Sequence, residues 1–424
     1  MMNELYLLAI NLTTRCNLRC AHCYLDAKAL RRGADDELTT DEVRQLLAQI
    51  AARSPQALVV LTGGEPLLRR DLESIIAFGA SRGLAMVVGT NGTLLSDRRV
   101  CSLKRAGTFG IGISLDSLDP GYHDRFRGLA GSWQKTMRAI DACARRGLSF
   151  QLHFSVTDDN AHELAGMIDF ARAVGARVLN AFFLVCTGRG QSLSNISPQR
   201  YEQVLNELVD AQPRYPELII RARCAPHFKR IAHQRHPDAP LNRIGGSEGD
   251  GCIAGAHYCR VTPQGGVTAC PYIPTEEGSI RRQLFWDIWE RGDGFKCLRD
   301  PVLRGKCGAC EYRYLCGGCR ARALAHSGGL MDSDPLCPYA TDQRAPLVPL
   351  ANSEIVGVRW SAEAAQRLAR VPLFLRNLVK KRAEAFVAGR GEQLITTQHL
   401  SLLVAQRFGG NAPARPASGK ERGS

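Results

Sequence analysis

From Leu5 to about Val185 the chain repeats one unit: a short apolar run, then a stretch with apolar residues three and four apart, then in several cases a glycine. A period of two giving way to one of 3.6 marks βα units, and strands joined by helical crossovers pair in parallel. The runs Leu5 to Leu12, Ala57 to Leu61, Ala85 to Val88, Gly110 to Ser114, Phe150 to Val156 and Val178 to Val185 are the predicted strands. Helices are predicted over Asp41 to Ala52, Asp71 to Arg82, Trp133 to Arg146 and His162 to Val174. Thr40 and Asp71 serve as starts, and Gly83, Gly147 and Gly175 as C-caps. Six units fall short of the eight that close a barrel, so the expected fold is α/β, an open partial (β/α)6 barrel. Barrels of parallel strands carry their chemistry at the carboxyl ends of those strands.

At those ends stand the residues that bear chemistry. Cys16, Cys20 and Cys23 follow the first strand, Gly63-Gly64-Glu65-Pro66 the second, Thr90-Asn91-Gly92 the third, and Ser114 and Asp116 end the fourth. Cysteines in C-x3-C-x2-C spacing can hold three irons of a cubane and leave the fourth without a protein ligand, whereas a structural cluster takes four thiolates. The cysteines alone also allow a redox pair, or a zinc site completed by His22. The Gly-Gly-Glu-Pro run decides between these readings: with the cysteines it resembles the radical S-adenosylmethionine (SAM) superfamily, where His22 stands at a position that usually carries an aromatic residue. The resemblance implies a [4Fe-4S] cluster whose open iron chelates the amino and carboxylate groups of SAM's methionine part. Glu65 and the backbone of Gly63, Gly64 and Pro66 would hold the ammonium, since a carboxylate suits such a donor and glycine permits close approach. Ser114, Asp116, Thr90 and Asn91 would lie toward the ribose hydroxyls and the methionine carboxylate, with loop capping as the alternative for each. Tyr24 reads as a core aromatic, with packing near the adenine as the alternative.

Sixteen cysteines in a chain that opens Met1-Met2-Asn3-Glu4, without the features of an export signal, argue for metal rather than disulfides. Eight of them lie between Cys252 and Tyr339: Cys252, Cys259, Cys270, Cys307, Cys310, Cys316, Cys319 and Cys337, with Gly265 five residues before Cys270. Two zinc ribbons would also use two C-x2-C pairs. The full pattern resembles the SPASM domain, an extension that carries two auxiliary [4Fe-4S] clusters. By that resemblance Cys252, Cys259, Cys270 and Cys319 hold the first, and Cys307, Cys310, Cys316 and Cys337 the second. Cys101, Cys143, Cys186, Cys224 and Cys297 lack partners at ligand spacing and read as small core residues, with Cys186 placed near the cavity by its position after the sixth strand.

The segments around these cysteines, such as Gly251 to Gly255, Tyr258 to Pro263, Cys316 to Arg322 and Asp334 to Tyr339, look like the radical enzymes of haem d1 and sirohaem-dependent haem biosynthesis. That likeness implies a tetrapyrrole substrate whose acetate or propionate side chains are altered, with Arg189, Arg260 and Arg320 as candidates to hold its carboxylates. It also implies an electron donor such as flavodoxin or ferredoxin. Trp360 to Ala364, Val371 to Arg376, Glu384 to Val387 and Ile395-Thr396 look like the helical domain ending one subunit of light-independent protochlorophyllide reductase, although a docking module has the same outline. The domain plan is therefore a barrel over 1–190, a connector over 191–250, a SPASM domain over 251–345, a helical domain over 351–410 and a disordered tail over 411–424.

Other partners fit less well. The net charge of +14 is spread without an RNA-binding signature, and a basic pocket for a polycarboxylate uses it equally well, so no nucleic acid is expected. The longest apolar runs fall far short of the roughly 20 residues of a membrane span, which points to a cytoplasmic protein. A peptide-modifying SPASM enzyme is the alternative function. Against it, the first strand begins within a few residues of Met1, leaving no leader-binding domain ahead of the barrel.

Overall fold

A computed structural model describes residues 4–25, 27, 35–185, 187–193, 196–237, 251–342, 344–349, 358–371 and 373–408. The six predicted strands form as β1 (Leu7–Asn11), β2 (Leu58–Thr62), β3 (Ala85–Thr90), β4 (Gly110–Ser114), β5 (Phe150–Val156) and β6 (Val178–Phe183). They pair in chain order, each parallel to the next. Helices α1 (Thr40–Arg53), α2 (Leu72–Ser81), α3 (Asp97–Arg105), α4 (Pro120–Arg127), α5 (Ser132–Arg146) and α6 (Leu164–Ala173) supply the crossovers. Helix α1 buries Val43, Leu46, Leu47 and Ile50, the i, i+3, i+4, i+7 stripe that faces a sheet. Its start is one residue earlier than predicted: Thr39 forms a capping box with Glu42, while Thr40 donates from its hydroxyl to Asp71 at 2.6 Å.

The sheet is larger than six strands. Residues 191–250 are more than a connector, because they contain α7 (Pro198–Arg214), β7 (Ile219–Arg223) and α8 (His227–Arg235), and β7 pairs in parallel with β6. On the other edge β8 (Tyr258–Val261) pairs in parallel with β1 and turns back through β9 (Gly266–Thr268) and β10 (Glu276–Ser279). The order is β10-β9-β8-β1-β2-β3-β4-β5-β6-β7. Both edges of the six-stranded core are thus covered, which removes the exposed backbone that an open parallel sheet would present.

One hydrophobic core runs from Leu5 to Leu336 and spans barrel and cysteine-rich region alike. A separate small core, built on Ala364, Ala383, Val387, Ile395 and Leu400, holds the C-terminal helices Ala362–Ala369, Leu373–Ala388 and Thr397–Phe408 around two short parallel strands. No described helix is long and apolar enough to cross a membrane. Cys186 and the tail 411–424 lie outside the described residues.

Candidate active site

The loop from Leu12 to Leu25 has no regular structure, so its backbone groups must find partners elsewhere. The strand ends provide them. Gly64 N–H donates to Thr13 O and Glu65 N–H to Arg15 O, both at 2.7 Å. Gly63 adopts φ 137°, a Cβ there would meet Thr13 O at 2.6 Å, and a Cβ on Gly64 would overlap the Arg15 carbonyl. The two glycines are therefore dictated by contact between the end of β2 and the cysteine loop. Asn91 Nδ2 donates to Asn17 Oδ1 at 2.9 Å, and Ala21 N–H donates to Phe126 O at 2.9 Å. Arg189 donates from Nε to Cys20 O at 2.9 Å and from Nη1 to Ala27 O at 3.1 Å.

Cys16, Cys20 and Cys23 are all within electrostatic reach of one another. Burial pushes the Cys16 thiol up to about 12 and raises that of Cys20 as well. Several thiolates at this spot need compensating positive charge, which a bound iron cluster supplies, so the donor set fits one. Arg127 adds part of that charge. Its Nη1 lies 3.8 Å from Cys20 Sγ, and its Nη2 pairs with the buried Asp116 at 2.5 Å. Burial lowers His22 to about 4, leaving it neutral, and its ring stacks on Phe126 with centroids 4.4 Å apart. His22 thus fills an aromatic position.

Glu65 is fully buried and caps the turn Pro66–Leu68. Its Oε1 accepts from Thr90 Oγ1 at 2.7 Å and Leu67 N–H at 3.1 Å, and its Oε2 from Asn91 N–H at 2.9 Å. Thr90 and Asn91 thus brace Glu65. Ser114 ends β4 opposite His153 in register. Asp116 is also paired within the protein: Oδ1 accepts from Ser155 N–H at 2.9 Å, and Oδ2 lies 2.5 Å from Arg127 Nη2. Its influence on the site passes through Arg127.

Sequence reasoning missed Arg127, which ends a helix just before Gly128 and resembles any C-terminal surface cation. It also missed the polar lining of the barrel on β5 to β7. There Asn180 Nδ2 donates to Gln151 Oε1 and Arg223 Nε to Asn180 Oδ1, both at 2.9 Å. His153, lowered to about 3 by burial and nearby Arg223 and Arg127, keeps Nε2 buried without a hydrogen-bond partner, as does Asn11 its Oδ1. Unmet polar atoms inside a barrel fit a polar ligand.

The arginines expected to hold substrate carboxylates are occupied. Besides Arg189, Arg260 donates to Thr268 Oγ1 at 3.1 Å and Pro271 O at 3.2 Å, and Arg320 to Leu330 O and Asp332 O at 3.1 and 2.8 Å. Arg260 and Arg320 are buried and Arg189 half-buried, each where it satisfies loop carbonyls.

In the cysteine-rich region, Cys307, Cys310, Cys316 and Cys337 line one cleft together with His227, Arg230 and Lys306. Cys252, Cys270 and Cys319 form a second group, in mutual electrostatic reach. Cys259 does not join them. Its side chain enters the apolar core on the other face of β8, and Cys224 stands with the three instead. Among the described residues no three His, Cys, Asp or Glu side chains come close enough to hold a single ion. A cubane, bonded at separate corners, takes its thiolates farther apart than one zinc ion does.

Comparison with known proteins agrees with this construction. Residues 10–171 match the family model described as the Radical SAM superfamily, and residues 360–402 the model described as Proto-chlorophyllide reductase 57 kD subunit. The AdoMet-dependent heme synthase of Methanosarcina barkeri is 37% identical over 351 residues, covering 80% of this chain and 98% of that protein. The pre-heme d1 synthase of Dinoroseobacter shibae is 29% identical, covering 77% and 84%. Among solved structures, SuiB of Streptococcus suis bound to S-adenosylmethionine shares the fold with TM-score 0.64 at 16% identity, covering 80% and 78%. The chain belongs to the radical SAM superfamily and is an enzyme of it. Within that superfamily it falls in the group of the AdoMet-dependent heme synthases.

Proposed function

We propose that this enzyme alters side-chain carboxylates of an iron-bound tetrapyrrole, in the cytoplasm, as a step of haem or haem d1 formation. The similarity to the Methanosarcina barkeri heme synthase over 98% of its length carries this reading. Cys16, Cys20 and Cys23 would hold the SAM-binding [4Fe-4S] cluster, with Gly63, Gly64, Glu65, Pro66, Thr90, Asn91 and Ser114 around the methionine part and ribose of SAM. Two auxiliary clusters would occupy the cysteine-rich region, one of them held by Cys307, Cys310, Cys316 and Cys337, and a small redox protein of the flavodoxin or ferredoxin class would supply electrons. When bound, these groups supply a 5′-deoxyadenosyl radical, from one-electron cleavage of SAM's sulfur–C5′ bond, and an acceptor for a surplus electron.

The chain's own residues position and shield. The buried Glu65 carboxylate offers acceptor oxygens whose place is fixed by Thr90 and Asn91. Arg127 sets positive charge beside Cys20. His153 and Asn11 leave a donor or acceptor open to whatever enters the barrel. The test is anaerobic turnover of reconstituted protein with SAM and a strong reductant. 5′-Deoxyadenosine is quantified with and without didecarboxysirohaem or Fe-coproporphyrin III, and porphyrin mass is followed. Substrate-dependent 5′-deoxyadenosine together with loss of carboxylate mass is expected. SAM cleavage indifferent to both tetrapyrroles would refute the reading and favour a peptide, the substrate named for relatives such as the PqqA peptide cyclase of Xanthomonas axonopodis, 28% identical over 337 residues.

A further inference from the structure

We propose that Cys224, and not Cys259, is the fourth thiolate of the first auxiliary cluster, with Cys252, Cys270 and Cys319. This rests on the reading above that the region carries two auxiliary clusters.

Strand geometry removes Cys259. β8 lies parallel to β1 with Tyr258 opposite Leu7, Cys259 opposite Leu8 and Arg260 opposite Ala9. Side chains alternate along a strand, so Cys259 shares a face with Leu8 and Ile10, both fully buried in the apolar core, while Tyr258 and Arg260 share the other. The remaining cysteines belong to the Arg260 face, because Arg260 Nη1 donates to Pro271 O, the neighbour of Cys270. Bringing Cys259 round would require a one-residue slip of β8 against both β1 and β9, which would invert every side chain on the strand.

Cys224 takes the vacant place from the opposite edge of the sheet. It follows β7 directly and has φ 56°, the one positive value among the described residues that are not glycine. Left-handed backbone is unfavourable for a residue with a Cβ and persists only where surrounding contacts enforce it. Those contacts are present. Cys224 O accepts from Arg322 Nη2 at 2.8 Å, Arg322 Nη1 bonds Asp334 Oδ2 at 2.9 Å, and that same oxygen accepts from Cys319 N–H at 2.7 Å. A buried Arg–Asp pair thus braces the carbonyl of Cys224 against the amide of Cys319, residues from distant parts of the chain. All six pairings among Cys224, Cys252, Cys270 and Cys319 are within electrostatic reach. A cysteine that merely filled the core would need neither the left-handed turn nor three other thiols around it.

The experiment uses full-length protein lacking Cys16, Cys20 and Cys23 (each changed to Ala), so that only auxiliary clusters remain. Cys224→Gly suits the positive φ and removes the thiol alone. The expected result is a fall of about four irons and four sulfides per chain, one cubane's content, or a cluster whose EPR spectrum changes on adding cyanide because one iron is open. Cys259→Ala should keep the parent's iron content and spectrum. Cys224→Ser, which retains an oxygen ligand, should shift the reduced EPR spectrum and decides the matter if the glycine variant is insoluble. Unchanged iron and spectra in the Cys224 variants, or iron loss in Cys259→Ala, would overturn the proposal. A parent with only about four irons, all lost on Cys310→Ala, would instead overturn the two-cluster reading and the proposal with it.

Discussion

Replacing Arg127 by Ala should destabilise the barrel by about 3–5 kcal/mol, because it strands a buried carboxylate. Arg127 and Asp116 are 6% and 0% exposed, and their 2.5 Å contact is the main compensation for taking Asp116 out of water. Burial pushes Asp116 up, but the Arg127 charge, with His22, His123 and the Ser155 N–H beside it, outweighs burial and holds the carboxyl below its ordinary value. A folded value below the unfolded one gives stability that is present above about pH 4 and lost as pH falls through the folded value. In the variant burial loses its largest counterweight, so the deficit is largest near neutrality and narrows as acid protonates Asp116. On a thermal scan the neutral-pH loss amounts to a fall on the order of 10 °C. Arg127→Ala/Asp116→Asn should recover much of it, since an amide costs less to bury than a lone carboxylate. Anaerobic scanning calorimetry of the two variants across pH 5–8 reads all of this. A single variant within about 1 kcal/mol of the parent, or a double variant no better than the single, would refute the ion-pair argument.

Gly64→Ala should abolish loading of the SAM-binding cluster, read as loss of about four irons per chain, because the new Cβ meets the Arg15 carbonyl and must push the cysteine loop aside. Glu65→Gln should weaken SAM binding by roughly 10- to 100-fold in equilibrium dialysis while iron content holds, as expected when a charged acceptor becomes a neutral amide. His22→Phe should keep iron content and SAM cleavage within about twofold between pH 6 and 8, since burial already leaves the imidazole neutral with its value near 4. Ser361→Ala removes the hydroxyl that accepts from Ala364 N–H at 3.2 Å, and should loosen the C-terminal helices by about 1 kcal/mol in hydrogen exchange without touching iron content.

The parts of the fold that repeat a local pattern are legible in the sequence. Strands β4 and β5 run over the predicted residues, because an apolar run between a helix end and a polar turn leaves little choice of boundary. Cys16, Cys20 and Cys23 come together because they share one loop. Helix α4 was missed since Pro120-Gly121 reads as a turn and its buried face is short, and with it went Arg127. Strand β7 was missed because Ile219-Ile220-Arg221-Ala222-Arg223 is too charged to look like sheet; its arginines face the polar barrel lining, where Arg223 bonds Asn180. Cys259 shows a different limit. Cysteine spacing says how far apart two thiols can be, but the face a thiol takes depends on which partner strand sets the register, and that partner, β1, lies some 250 residues earlier.

That same pairing ties the two chemical regions together. The face of β1 that carries Asn11 meets the cysteine loop, for Asn11 Nδ2 reaches Tyr24 Oη at 3.5 Å, and Tyr24 follows Cys23 directly. Tyr24 in turn packs edge-on against Tyr272, with centroids 5.4 Å apart, and Tyr272 lies two residues beyond Cys270. Arg260, on the same face of β8, fixes the intervening Pro271 carbonyl. One packed layer therefore runs from Cys23 through two tyrosine rings to Cys270, braced beneath by the β1–β8 ladder. Packed interiors transmit displacement because they have few voids to absorb it. A shift of the β8–β9 hairpin must move Tyr272 and then Tyr24, and so disturb the loop that holds the N-terminal thiols. The separation between Cys16, Cys20 and Cys23 and the Cys270 group is thereby fixed by the fold.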